Sequence, residues 1–136
     1  MIIIDTALAK REAEGKPVRV GMIGAGFMAK GVALQIKNHV PGMELVAISN
    51  RTIERARETY NEAGIAEVEE VDSVESLQEN IRNGRYSITN DPMLLCRAEG
   101  IDAILEVTGA VEFGAQVALE AIQNGKHTIM MDAEVD

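Results

Sequence analysis

Apolar residues recur along this chain in short runs that alternate with longer amphipathic stretches. Val18, Val20, Met22 and Ile23 predict a buried strand over residues 18–23, and comparable runs predict strands over 43–49, 86–89, 101–107 and 127–131. Between them, residues 27–38, 52–63 and 112–123 carry apolar positions at helical spacing, and a shorter helix fits between Pro92 and Gly100. Strict strand–helix alternation with right-handed crossovers requires a parallel sheet covered on both faces, with ligands at the carboxyl ends of its strands. The predicted fold class is therefore α/β, a doubly wound parallel sheet of about five to six strands.

Punctuation residues sharpen these boundaries. Residues 6–14 look helical, with Thr6 as the cap and Gly15 and Pro17 as stop signals, so residues 1–16 form an N-terminal helical extension. His39, Val40, Pro41 and Gly42 end the first long helix, Asn50 or Thr52 caps the next, and Gly64 closes it. Residues 65–85 fit the alternation poorly. Asp72, Ser73, Val74 and Glu75 resemble a capping box that opens a helix ending near Gly84, and the segment is expected to be a helical insertion before the third strand. Asn90, Asp91 and Pro92 combine a cap with a proline in the first turn, and Asn124 and Gly125 stop the last helix.

The strongest chemical signal is where the first strand runs into Gly24, Ala25, Gly26, Phe27, Met28 and Ala29. Gly24 permits a tight turn, Gly26 lets backbone approach a pyrophosphate, and Ala29 keeps the new helix close to its strand. Unpaired N–H groups at that helix start favour phosphate. Strand, glycine turn, helix and second strand in this order specify a Rossmann-type dinucleotide site, with the backbone of Gly24, Gly26, Phe27 and Met28 as the pyrophosphate cradle. After the second strand an NAD-preferring site carries a carboxylate for the adenosine ribose. Here stand Ser49, Asn50, Arg51 and Thr52 instead. Asn50 and Arg51 are the candidates for the adenosine end. A guanidinium there suits a 2′-phosphate and stacks on adenine, which favours NADP over NAD, with Glu54 reaching back to ribose as the alternative. Arg55 is expected to pair with Glu54. After the fourth strand, Thr108, Gly109 and Ala110 form a small loop expected to border the nicotinamide ribose. Glu106 reads as a buried polar residue with no chemistry assigned.

Composition narrows the remaining choices. The 136 residues form one domain by length, 46% hydrophobic and 26% charged, as in soluble globular proteins. A net charge of −9 argues against nucleic acid and anionic membranes as partners. Met1–Ile4 is too short an apolar run for a signal peptide, and the expected location is cytoplasmic. Cys96 is the single cysteine and, flanked by Leu94 and Leu95, is expected to be a core thiol. Glu67, Glu69, Glu70, Asp72 and Glu75 suggest a solvated face, and no metal site is expected. Met28, Met43, Met93, Met130 and Met131 are expected to fill the core.

Taken with Ser49–Asn50–Arg51, with residues 101–109 and with Gly125–Lys126–His127, the segment from Val20 to Gly26 resembles the nucleotide-binding domain of the homoserine dehydrogenase-like oxidoreductases, and more distantly the glucose-fructose oxidoreductase group. The resemblance covers roughly residues 17–136. It implies an NAD(P)-dependent dehydrogenase of a small hydroxy or oxo compound, with a downstream domain supplying most of the substrate pocket. Those families place a lysine just after the fifth strand, where this chain has residues 132–136, Asp-Ala-Glu-Val-Asp. Lys126 lies before that strand, at the wrong end of the sheet, so no catalytic residue is assigned. Residues 1–136 are then expected to be the dinucleotide-binding domain of a longer enzyme, binding cofactor without efficient turnover, and a homo-oligomer is expected. The rival expectation is a non-enzymatic redox sensor that signals through its oligomeric state.

Overall fold

The computed structural model describes residues 7, 9–11, 13–39, 41–108 and 110–131. Its elements, in chain order, are β1 (Val18–Ile23), α1 (Phe27–His39), β2 (Met43–Ser49), α2 (Ile53–Glu62), β3 (Val68–Glu70), α3 (Val74–Arg82), β4 (Tyr86–Thr89), α4 (Pro92–Arg97), β5 (Ala103–Glu106), α5 (Val111–Gln123) and β6 (His127–Met130). The strands form one six-stranded sheet in the order β3-β4-β2-β1-β5-β6, every pair parallel. This is the Rossmann-type α/β architecture. Ahead of it, the described residues between 7 and 13 are helical, while Thr6 lies outside the described residues.

The burial pattern explains why the strands read as near-continuous apolar runs. Helices α1 and α2 cover one face, where Ala29, Ala33, Ile36, Ala56 and Tyr60 pack on Val20, Met22, Ile48 and Leu105. Helices α3, α4 and α5 cover the other, where Leu77, Ile81, Leu94, Leu95, Val117 and Ala121 pack on Ile23, Ala47 and Ile104. A strand buried on both sides has no position to give to polar residues, and each large apolar side chain removed from water contributes about 1.5–3 kcal/mol. The β1–β2 register shifts between Val20 and Gly21, which face Leu45 and Ala47. Beside that irregularity the Tyr60 hydroxyl donates to the Leu45 carbonyl at 2.8 Å, joining α2 to β2 through a buried bond. Cys96 is fully buried, and desolvation pushes its thiol up to about 11, as befits an inert core residue.

Several local expectations need correction. Residues 65–85 contain a strand as well as a helix: β3 pairs with β4 in parallel and becomes the edge of the sheet. Val68–Glu70 shows one half-buried and two exposed residues, so it lacks the apolar run that marks the central strands. Helix α3 is capped by Ser73, whose hydroxyl accepts from the Ser76 amide at 3.1 Å, so the partner three residues on is Ser76 rather than a glutamate. Thr52 stands at the cap of α2 without a side-chain bond. Asp91 does cap α4, accepting from the Met93 amide at 3.0 Å, and Pro92 follows in the first turn. Met28 and Met130 are not core residues, being 36% and 45% exposed, whereas Met22 is fully buried. The two lie where α1 and β6 face outward.

Candidate functional site

Parallel registers place Thr89, Ser49, Ile23, Glu106 and Met130 in one row across the carboxyl end of the sheet. The ladder continues one residue past that row. The Gly24 amide donates to Ser49 O at 2.8 Å, Asn50 to Thr89 O at 3.1 Å, Val107 to Ile23 O at 2.9 Å and Met131 to Glu106 O at 2.8 Å. Three loops thus leave a common line at β1, β2 and β5, the central strands on either side of which the chain winds in opposite directions. In open α/β sheets this is where ligands bind. The topology brings the candidates at 24–28, 50–51 and 108–110 to this end, although Gly109 lies outside the described residues.

Gly24 has φ +115°, and a Cβ there would lie 3.0 Å from Val107 Cγ2 and 3.1 Å from the Val107 carbonyl carbon. The turn needs glycine twice over, for its conformation and for its contact with the β5 loop. A Cβ at Gly26 would meet nothing within 4 Å. Space is therefore open on the outer side of the turn, where a phosphate approaching backbone would lie. Ala29 is 1% exposed and seats α1 against the sheet. No acidic residue occupies the first turn of α1, so the positive end of its dipole is uncompensated there. The Ser49 Oγ is buried below the Gly24 turn and finds no partner among the described residues. Glycine cradle and helix start together fit a dinucleotide pyrophosphate.

On the β2 side, the Asn50 side chain donates to Thr52 O at 2.9 Å and shapes the turn into α2. Arg51 is exposed and forms no ion pair among the described residues. Glu54 pairs with Arg57 at 3.4 Å rather than with Arg55, and Arg57 also holds Glu70 at 3.1 Å. Lys30 of α1 is taken by Glu62 at 3.2 Å. Arg51 is thus a cation at the end of β2 that no carboxylate among the described residues answers.

The β5 loop holds the residue for which sequence reasoning found no role. Glu106 is fully buried, and its Oε2 accepts from the Thr108 amide at 2.8 Å and from the Thr108 hydroxyl. Helix α5 comes so close that a Cβ at Gly114 would lie 2.8 Å from Glu106 Oε1. The available signal was a lone carboxylate ending an apolar strand, with a glycine eight positions further on in the first turn of α5. Thr108 and Ala110 are exposed beyond it.

The other features singled out in the sequence lie elsewhere. Lys126 is buried at the amino end of β6, where its ammonium donates to Ala98 O at 2.5 Å and to Ile101 O at 3.0 Å, and desolvation lowers its pKa. It braces the α4–β5 connection. A cavity of about 280 Å³ lined by Pro17, Lys37, Met43, Glu44, Tyr60 and Tyr86 also lies at the amino end, away from the row. The acidic residues Glu67, Glu69, Glu70, Asp72 and Glu75 are exposed, and Glu69 pairs with Arg85 at 3.7 Å. No helix among the described residues is long and apolar enough to cross a membrane.

Comparison with known proteins gives this geometry a context. A homoserine dehydrogenase of Methylobacillus glycogenes is 25% identical over 114 residues, 84% of this chain and 24% of that protein. Among solved structures, myo-inositol dehydrogenase from Lactobacillus casei, in complex with NAD(H) and myo-inositol, is 21% identical with a TM-score of 0.64, over 84% of this chain and 28% of that one. A 3-ketoreductase from Actinomadura kijaniata in complex with TDP-benzene and NADP is 25% identical with a TM-score of 0.58, over 84% and 29%. The chain spans about a quarter of the length of these relatives. A family model described as an oxidoreductase family with an NAD-binding Rossmann fold matches residues 18–131, and with that match the chain belongs to the GFO/IDH/MocA oxidoreductases.

Proposed function

We propose that the chain is the NADP-preferring dinucleotide-binding module of a dehydrogenase acting on a small hydroxy or oxo compound. The observation that carries this reading is the Gly24–Gly26 turn, conformationally tied to Val107 on one side and open on the other. In it, the backbone of Gly24, Gly26, Phe27 and Met28 holds the pyrophosphate, Asn50 and Arg51 take the adenosine end, and Thr108, Gly109 and Ala110 border the nicotinamide ribose. The bound cofactor supplies hydride transfer. The chain's own part is to bind and orient it, and no acid or base is assigned. Relatives of this fold that carry NAD(H) and NADP give precedent for either nucleotide, and unanswered Arg51 supports the phosphorylated form.

A substrate held against nicotinamide needs a water-poor cleft with walls on both sides. The row at the carboxyl end of this sheet supplies one wall, so the 136-residue chain binds cofactor with little turnover and the partner domain of the whole enzyme supplies the other. A cytoplasmic setting and self-association complete the proposal, the latter supported by Ile129 and Met130, which leave β6 46% and 45% exposed. Calorimetric titration of the chain with NADPH and with NADH, at low and moderate salt, tests the assignment. Saturable binding with NADPH preferred is expected. Absence of binding to either nucleotide removes the proposal, and preference for NADH removes the Arg51 role.

A further inference from the structure

The β5–α5 loop has an unusual distribution of hydrogen-bonding groups. The Val107 amide donates to Ile23 O, the Thr108 amide and hydroxyl both donate to Glu106 Oε2, and the Ala110 amide donates to Thr108 Oγ1 at 3.2 Å. Among the described residues of the loop, every donor is engaged within the chain. The Ala110 carbonyl is taken in turn by the Gly114 amide at 2.8 Å. The Val107 carbonyl faces the Gly24 turn, where a Cβ would lie 3.2 Å from its oxygen, and the polar backbone group that exposed Thr108 has left to offer a ligand is its carbonyl oxygen. The agent of this arrangement is the Glu106 carboxylate, which lies on the row that forms the cleft floor and is fully buried. Its place is built in, since a side chain at Gly114 would collide with it.

We propose that Glu106 is a positioning residue that gives this loop its polarity: by drawing the Thr108 donors inward, it leaves an acceptor surface that selects hydrogen-bond donors on the ligand and turns away phosphate. The inference rests on the dinucleotide reading above and deepens it. On a nicotinamide dinucleotide, the donors at that end are the carboxamide N–H groups and the ribose hydroxyls, whereas the pyrophosphate offers acceptors only. The two ends of the ligand are thereby told apart by opposite chemistry. Gly24–Met28 presents N–H groups and a helix start, and Thr108 presents oxygen. A carboxylate that accepts from both an amide and a hydroxyl holds them more firmly than a neutral acceptor does.

The test compares NADH with ADP, which keeps adenosine and pyrophosphate but has neither nicotinamide nor its ribose. Both are titrated calorimetrically into the 136-residue chain and into Glu106→Gln, Glu106→Ala and Thr108→Val. Glu106→Ala is expected to weaken NADH about tenfold or more, the size of one good hydrogen bond, while ADP changes by less than about twofold. Glu106→Gln keeps one acceptor oxygen and should restore part of the loss. Thr108→Val removes a hydroxyl on an exposed residue, and with it the bonds to Glu106 and from the Ala110 amide; it gives a readable result even if the buried substitutions disturb folding and should show the same selective loss on a smaller scale. Parallel weakening of both ligands, or no change in either, overturns the positioning role. Failure of the unsubstituted chain to bind either ligand overturns the dinucleotide reading itself, and the proposal with it.

Discussion

At the scale of single residues, the cleft depends on a few side chains whose neighbours decide what they do. Arg51 and Arg57 stand six positions apart, yet Arg57 is engaged by Glu54 and Glu70 while Arg51 has no ion-pair partner among the described residues. An exposed cation contributes little to stability, so Arg51→Ala should leave the midpoint of thermal unfolding nearly unchanged. Its expected effect is on ligands. NADPH affinity should fall about tenfold or more, as expected when a charge-assisted contact to phosphate is lost, with NADH much less affected. Equal loss for both nucleotides would discard the phosphate role. Residue chemistry was partly legible from the sequence. Gly24 was legible as a turn glycine between an apolar strand and a helix, and its φ of +115° and contact with Val107 agree with that reading. Glu106 was not, because its partners are the amide and hydroxyl of a loop, and their direction depends on the close approach of α5 at Gly114.

At the scale of elements, legibility followed burial. Central strands β1, β2 and β5 are covered on both faces and show themselves as apolar runs, and α4 shows itself through Asp91 and Pro92. Strand β3 escapes notice because an edge strand with exposed Glu69 and Glu70 carries no such run; only its pairing with β4 defines it. Tyr60 links α2 to β2 in a way that pH can interrogate. Burial, with lesser contributions from Tyr86 and Glu44, raises its phenol well above the ordinary value of 10.0. The unfolded chain therefore ionises first. The stability that Tyr60 contributes is complete below about pH 10 and is lost as pH rises through the folded-state value. Tyr60→Phe should cost about 1–3 kcal/mol at neutral pH, because the Leu45 carbonyl loses its donor. Its stability should then fall less steeply than that of the parent above about pH 10, as measured by denaturant titration at a series of alkaline pH values. Curves that stay parallel up to the alkaline limit would show that another group governs the transition.

For the molecule as a whole, the two edges of the sheet are chemically opposite. The β3 edge carries Glu69 and Glu70, paired outward with Arg85 and Arg57, and charge of this kind discourages strand addition. On the β6 side, Ile129 and Met130 are exposed on the strand, as are Leu119 and Ile122 on the helix before it. Self-association is accordingly expected through β6, and Ile129→Lys should shift the chain toward monomer in sedimentation velocity; an unchanged profile would locate any association elsewhere. The sheet's carboxyl-end row has a consequence of another kind. Gly24, Asn50, Val107 and Met131 each hold a ladder bond one residue beyond the strands, so the floor of the cleft is already set by the sheet. Such amides should resist hydrogen exchange nearly as well as those of the core, opening only when the fold opens. A ligand arriving at a preorganised floor has little left to order beneath it, and its affinity would then vary with the few side chains along the rim while the sheet below stays constant.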